Sequence, residues 1–103
     1  MSKTHEGYGT YYGNLVTLEQ AQEISDRFSF ADVTDTEDFV NTLKFLGVKE
    51  ILFDLEDDCD YSDTIFFKTD AETHFKELMV FICSHRPDEF SQETADHFRM
   101  WFD

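Results

Sequence analysis

The chain has 103 residues, with 23 acids against eight Lys and Arg, for a formal net charge of -15. Charge of that size opposes unaided binding to nucleic acid or to an anionic membrane, and it points to a basic partner or a cation. A hydrophobic content of 41% with twelve Phe excludes a disordered acidic chain, which lacks aromatics.

The length suits one domain able to fold alone. Acids recur from Glu6 to Asp103 between apolar residues, so the charge is built onto a folded surface and not onto a detached tail. Residues 1–14 lack the apolar core of a secretory signal. No apolar stretch approaches the roughly 20 residues of a membrane span. The expected compartment is the cytoplasm, with Cys59 and Cys83 reduced. Cys83 lies in an apolar run and reads as a core residue. Cys59 stands between Asp58 and Asp60, which disfavour a thiolate and hence a nucleophile.

Residues 1–14 carry Gly7, Gly9, Gly13, Tyr8, Tyr11 and Tyr12, and read as a flexible or edge-strand arm. Residues 15–103 read as one acidic α+β domain. Thr17-x-x-Gln20 is a capping box that opens a helix with Leu18, Ala21, Ile24 and Phe28 on one face. Thr34-x-x-Glu37 opens a second, with Phe39, Val40, Leu43 and Leu46 inward and Gly47 as its stop. Residues 48–56 switch to period two. Ile51, Phe53 and Leu55 face one side, and Glu50, Leu52, Asp54 and Glu56 the other. Residues 64–68 form the returning strand of a hairpin, whose Gly-free loop is too long for a tight primed turn. Thr69-x-x-Glu72 opens a third helix with Phe75, Leu78, Met79 and Ile82 inward, ended by Arg86-Pro87. Ser91 caps a fourth, running through Ala95, Phe98 and Phe102 with Trp101 at its edge. The expected architecture is α+β in the order ααββαα: a β-hairpin, with the arm available as a third antiparallel strand, covered by about four helices. Exposed faces on the first and last helices would permit a homodimer.

The strongest chemical signal is the run from Asp54 to Asp63, which holds Asp54, Glu56, Asp57, Asp58, Asp60 and Asp63 and no basic residue. On a strand, Asp54 and Glu56 project from one face about 6.6 Å apart. Asp35 and Asp38 on the second helix, with Glu93 and Asp96 on the last helix, extend the charge. Affinity for nucleic acid is largely phosphate electrostatics. A rigid array of carboxylates therefore fits the groove that phosphates fill in a nuclease or nucleic-acid-binding protein. Tyr61 adds the residue type favoured at binding hot spots. The pattern points to a stoichiometric, non-enzymatic inhibitor resembling DNA in its charge, in a phage or mobile-element anti-defence setting. A toxin-immunity protein or antitoxin uses the same physics.

A weak divalent-cation-binding regulatory domain is the rival. Asp58, Asp60 and Ser62 match positions 1, 3 and 5 of a calcium loop, but Asp63 stands where Gly makes the turn and Thr69 where a bidentate Glu is needed. His5, His74, His85 and His97 fall at no metal-ligand spacing. Asp96-His97 lacks a Ser or Cys elbow, and the glycines of the arm do not form a dinucleotide fingerprint. No catalytic residue, metal or cofactor is expected.

Overall fold

The computed structural model of the protein describes residues 3–4, 12–13, 15–31, 33–55 and 60–102. Its elements are β1 (Lys3–Thr4), β2 (Tyr12–Gly13), β3 (Leu15–Val16), α1 (Leu18–Ile24), β4 (Ser29–Phe30), α2 (Thr36–Phe45), β5 (Glu50–Asp54), β6 (Tyr61–Ser62), β7 (Thr64–Lys68), α3 (Phe75–Ser84), β8 (Glu89–Gln92) and β9 (His97–Trp101). The expected order ααββαα with four helices is therefore wrong. Among the described residues there are three helices, a five-stranded antiparallel sheet in the order β3-β5-β7-β9-β8, a parallel pair β4-β6 and a separate pair β1-β2.

The fourth helix is where the expectation fails. Residues 89–101 form the β8-β9 hairpin, with Phe90 opposite Met100 and Ser91 opposite Arg99. Phe98 and Met100 are buried, while His97, Arg99 and Trp101 alternate with them on the other face. Phe98 and Phe102 are four apart, which imitates a helix, but Met100 between them makes the period two. A homodimer through a last helix loses its basis. The third strand also differs: Leu15–Val16 pairs with β5, with Val16 opposite Phe53, while β2 of the arm pairs with β1 instead.

The Thr17 capping box is present, with Gln20 N donating to Thr17 Oγ1 and Thr17 N to Gln20 Oε1. The other two are not. Asp35, one residue after Thr34, caps α2 through Oδ1, which accepts from Asp38 N. Thr69 is buried and continues β7, its N–H donating to the Asp96 carbonyl. The chain then turns on Asp70 and Thr73, and α3 starts only at Phe75, after His74 as an N-cap without a side-chain bond. Thus Phe75 is exposed where an inward residue was expected. Ile24, at the end of the short α1, is exposed as well.

Gly47 ends α2 at φ 92°, with Val48 N donating to Leu43 O and Gly47 N to Lys44 O. This is the Schellman pattern, with Val48 and Leu43 both in the core.

The core lies between the helices and one sheet face. Phe53, Ile65, Phe67, Met100, Leu43, Leu78 and Ile82 are all buried there. Phe30 is fully buried, with Phe39, Phe53 and Phe102 rings at 5.5, 5.3 and 5.5 Å. The opposite face, to which the strand pattern assigns Glu50, Leu52 and Asp54, is not all polar: Leu15, Leu52 and Phe66 form a second buried cluster on it. Cys83, expected in the core, is exposed on α3. No helix among the described residues is long and apolar enough to cross a membrane.

Candidate functional site

The acidic run divides three ways. Asp54 ends β5, half-buried, on the sheet face away from the helices and opposite Leu15. Glu56, Asp57, Asp58 and Cys59 lie outside the described residues, as do Tyr8 and Tyr11 of the arm. Asp60, Tyr61 and Asp63 belong to the stretch around β6, which leaves the main sheet to pair with β4.

That pairing gathers acids from distant positions. Ser29 N donates to Asp60 O at 2.9 Å, and Ala31 N donates to Ser62 O at 2.8 Å. Phe30 N, between them, donates to Thr36 Oγ1 at 3.1 Å and so ties the pair to the first turn of α2. On the far side of the stretch, Phe102 N donates to Asp63 O at 2.9 Å. A Phe anchors this end from both segments, since Phe30 and Phe102 stack edge to face. The expected partner-binding residues Asp60, Tyr61, Asp63, Asp35 and Asp38 thus sit on backbone joined by direct hydrogen bonds. Asp54 stands at the end of β5, where the register that sets Phe53 against Ile65 brings it toward Thr64, the residue whose hydroxyl donates to Asp63.

None of Asp35, Asp38, Asp60 or Asp63 takes part in an ion pair among the described residues. Asp63 Oδ1 accepts from Thr64 Oγ1 at 2.9 Å, and Asp35 is the helix cap. Both bonds are neutral-donor bonds and leave the charge uncompensated. Three cations pair with other acids. Lys44 is 4.0 Å from Glu19, Lys49 is 3.6 Å from both Asp70 and Glu72, and Arg99 is 2.7 Å from Glu89.

Beside this end, the first turn of α2 and the last turn of α3 enclose a cleft of about 310 Å³, lined by Val33, Thr34, Asp35, Asp38, Phe39, Phe81 and His85. Phe39 and Phe81 are 5.3 Å apart, and the His85 ring stands edge-on to both, at 5.0 and 4.7 Å. His85 Nδ1 is 3.0 Å from the Phe81 carbonyl, which can only accept, so Nδ1 carries the proton. Sequence reasoning missed this cleft, because its walls come from two helices whose antiparallel packing no local pattern displays. A second cleft, about 240 Å³, lies by Leu18, Val40 and Ile51, with Glu19, Lys44, Lys49 and Glu50 at its rim. Its lysines already have carboxylate partners.

The calcium-loop alternative loses a ligand. Ser62 is buried, and its hydroxyl donates to Thr64 O at 3.0 Å. Among the described residues no group of three or more His, Cys, Asp or Glu is placed to hold a metal ion.

Asp96 and His97 do meet, Oδ1 to Nδ1 at 2.8 Å. Thr94 Oγ1 is also 2.8 Å from Nδ1. A catalytic relay uses both ring nitrogens, one for the orienting carboxylate and one for the nucleophile. Here Asp96 Oδ1 and Thr94 Oγ1 share Nδ1, which closes the β8-β9 turn. Burial tends to raise the Asp96 carboxyl. Hydrogen bonding and charge from His97, the Thr94 hydroxyl and Lys68 outweigh it and hold it below its ordinary value.

Compared with known proteins, the chain matches no family model, no curated sequence and no solved structure, so its function is read from these residues alone.

Proposed function

We propose that this protein is a stoichiometric inhibitor that presents fixed carboxylates to the phosphate-binding groove of a basic nuclease or nucleic-acid-binding protein. One observation carries the reading. Asp60 and Asp63 are joined through β4 to Asp35 and Asp38, and all four lack a cation partner among the described residues. Gathering like charge costs stability, which a fold seeking only solubility avoids by spreading it. A basic groove gains from the same array, because it exchanges phosphates for carboxylates held on rigid backbone. Long-range attraction speeds encounter, and Tyr61, exposed between the acids, supplies a contact that slows release. The same charge keeps the protein itself off nucleic acid. A phage or mobile-element anti-defence role, or immunity against a nuclease toxin, suits this chemistry equally.

Affinity capture on the immobilised protein tests it. The expected captive is a basic nucleic-acid-binding protein, displaced by duplex DNA and by moderate salt. Asp60→Asn with Asp63→Asn should lower its retention while the fold survives. Captives that are neutral and insensitive to both DNA and salt would defeat the proposal.

A further inference from the structure

We infer that the cleft between α2 and α3 seats one arginine side chain of the basic partner, an inference that rests on the proposed function and names its anchor point. At about 310 Å³ the cleft is at the small end of ligand pockets, roughly 300–1,000 Å³, which suits one long side chain better than a nucleotide.

Its chemistry selects the cation. Asp38 has no ion pair among the described residues, and Asp35 uses Oδ1 for the Asp38 N–H and has a second oxygen left. Two carboxylates therefore border a wall of three rings, Phe39, Phe81 and His85, whose centroids lie within 5.3 Å of one another. A planar guanidinium stacks on such a wall while its N–H fork meets a carboxylate. An ammonium has no plane to stack and keeps its water more strongly.

The helix ends act in opposite senses. The α2 N-terminus disfavours a cation, but its Asp35 cap answers one of the N–H groups there. The α3 C-terminus, at Ser84, favours a cation; its last turn holds no basic residue, and Arg86 follows it. The second cleft lacks this combination, since no aromatic ring lines it and two lysines stand at its rim.

The test is amide chemical-shift titration of the labelled protein with blocked arginine, N-acetyl-arginine amide, beside the blocked lysine and citrulline analogues. Saturable shifts confined to residues 33–39 and 81–85 are expected with arginine. Lysine should bind several-fold more weakly, and citrulline, with the shape but not the charge, should give none. Asp38→Asn should weaken arginine about tenfold, the loss of one charge-assisted pair. Phe81→Leu, which keeps apolar volume, should erase the preference for arginine over lysine. Equal shifts for arginine and lysine spread over the acidic surface would overturn the inference. So would an unchanged response in Asp38→Asn.

The two readings fail separately. If Asp38→Asn leaves capture of a basic, DNA-displaced partner intact, the arginine seat falls and the inhibitor stands. If arginine binds as described and no such partner is captured, the inhibitor falls and the seat stands.

Discussion

The backbone N–H of Phe30 donates to the hydroxyl oxygen of Thr36 at 3.1 Å, inside the core. Phe30 is fully buried and its strand partner β6 lies on its other side, so the hydroxyl is what satisfies that donor. Thr36→Val keeps the shape and removes the acceptor. It should cost about 1–3 kcal/mol, the cost of an orphaned buried donor, with Thr36→Ser much milder. Urea unfolding of the three proteins measures it. Equal stability of Thr36→Val and the parent would mean that another acceptor serves Phe30.

Asp35 has two separable roles, cap and charge. Asp35→Asn keeps an acceptor for Asp38 N and should leave the melting temperature nearly unchanged. Asp35→Ala removes it and should cost about 0.5–2 kcal/mol. Both variants should weaken partner retention to a similar degree, because both remove the charge. Retention that follows stability instead would assign Asp35 to the fold alone.

Gly47→Ala places a methyl group 2.9 Å from Thr73 Cα, with the backbone at φ 92°. Steric contact and backbone strain add, and a loss of roughly 1–3 kcal/mol is expected from the backbone alone. A thermal melt of the variant within a degree of the parent would exclude this account of the α2-α3 junction.

The lowered Asp96 carboxyl gives a pH dependence of known sign. Its stabilisation is fully present above the ordinary carboxyl value of 3.8 and is lost as pH falls through the lower folded value. Asp96→Asn should therefore flatten the acid limb of a melting-temperature profile, with little change near neutrality beyond the lost hydrogen bonds. A limb of unchanged slope would place the acid sensitivity on other carboxylates.

With a net charge of -15, screening should stabilise the fold. Raising ionic strength from about 0.01 to about 0.15 M shortens the Debye length from about 30 to about 8 Å, and the melting temperature should rise. A fall would show that the surface ion pairs of Lys49 and Arg99 outweigh the repulsion.

Single elements were readable where one pattern had no competitor, although the order of elements was not. Ile51, Phe53 and Leu55 alternate along β5 and just past its end, and Phe39, Val40 and Leu43 share a helix face; all six are buried, though Leu52 on the other strand face is buried too. The reading failed where two periods overlapped, as at Phe98, Met100 and Phe102. It failed also where Thr34 and Thr69 offered capping boxes that Asp35 and the buried end of β7 overrode. For the site, the acids were visible, but their grouping depends on β4 pairing with β6, two residues with two, across about thirty positions. So short a parallel pair has no sequence signature.

The sheet order β3-β5-β7-β9-β8 also sets a schedule of assembly. Residues 17–48, with α1, β4 and α2, leave the ribosome before β5, β7, β9 and β8 exist to receive them. The antiparallel neighbours β5-β7 and β8-β9 are close in sequence, whereas β3 must wait for β5 and β4 must reach β6. Folding should therefore nucleate in the later half of the chain, with the acid-gathering β4-β6 contact among the last to form. Until it closes, Asp60 and Asp63 remain apart from Asp35 and Asp38, so a nascent or partly folded chain would be a poor ligand for a basic groove.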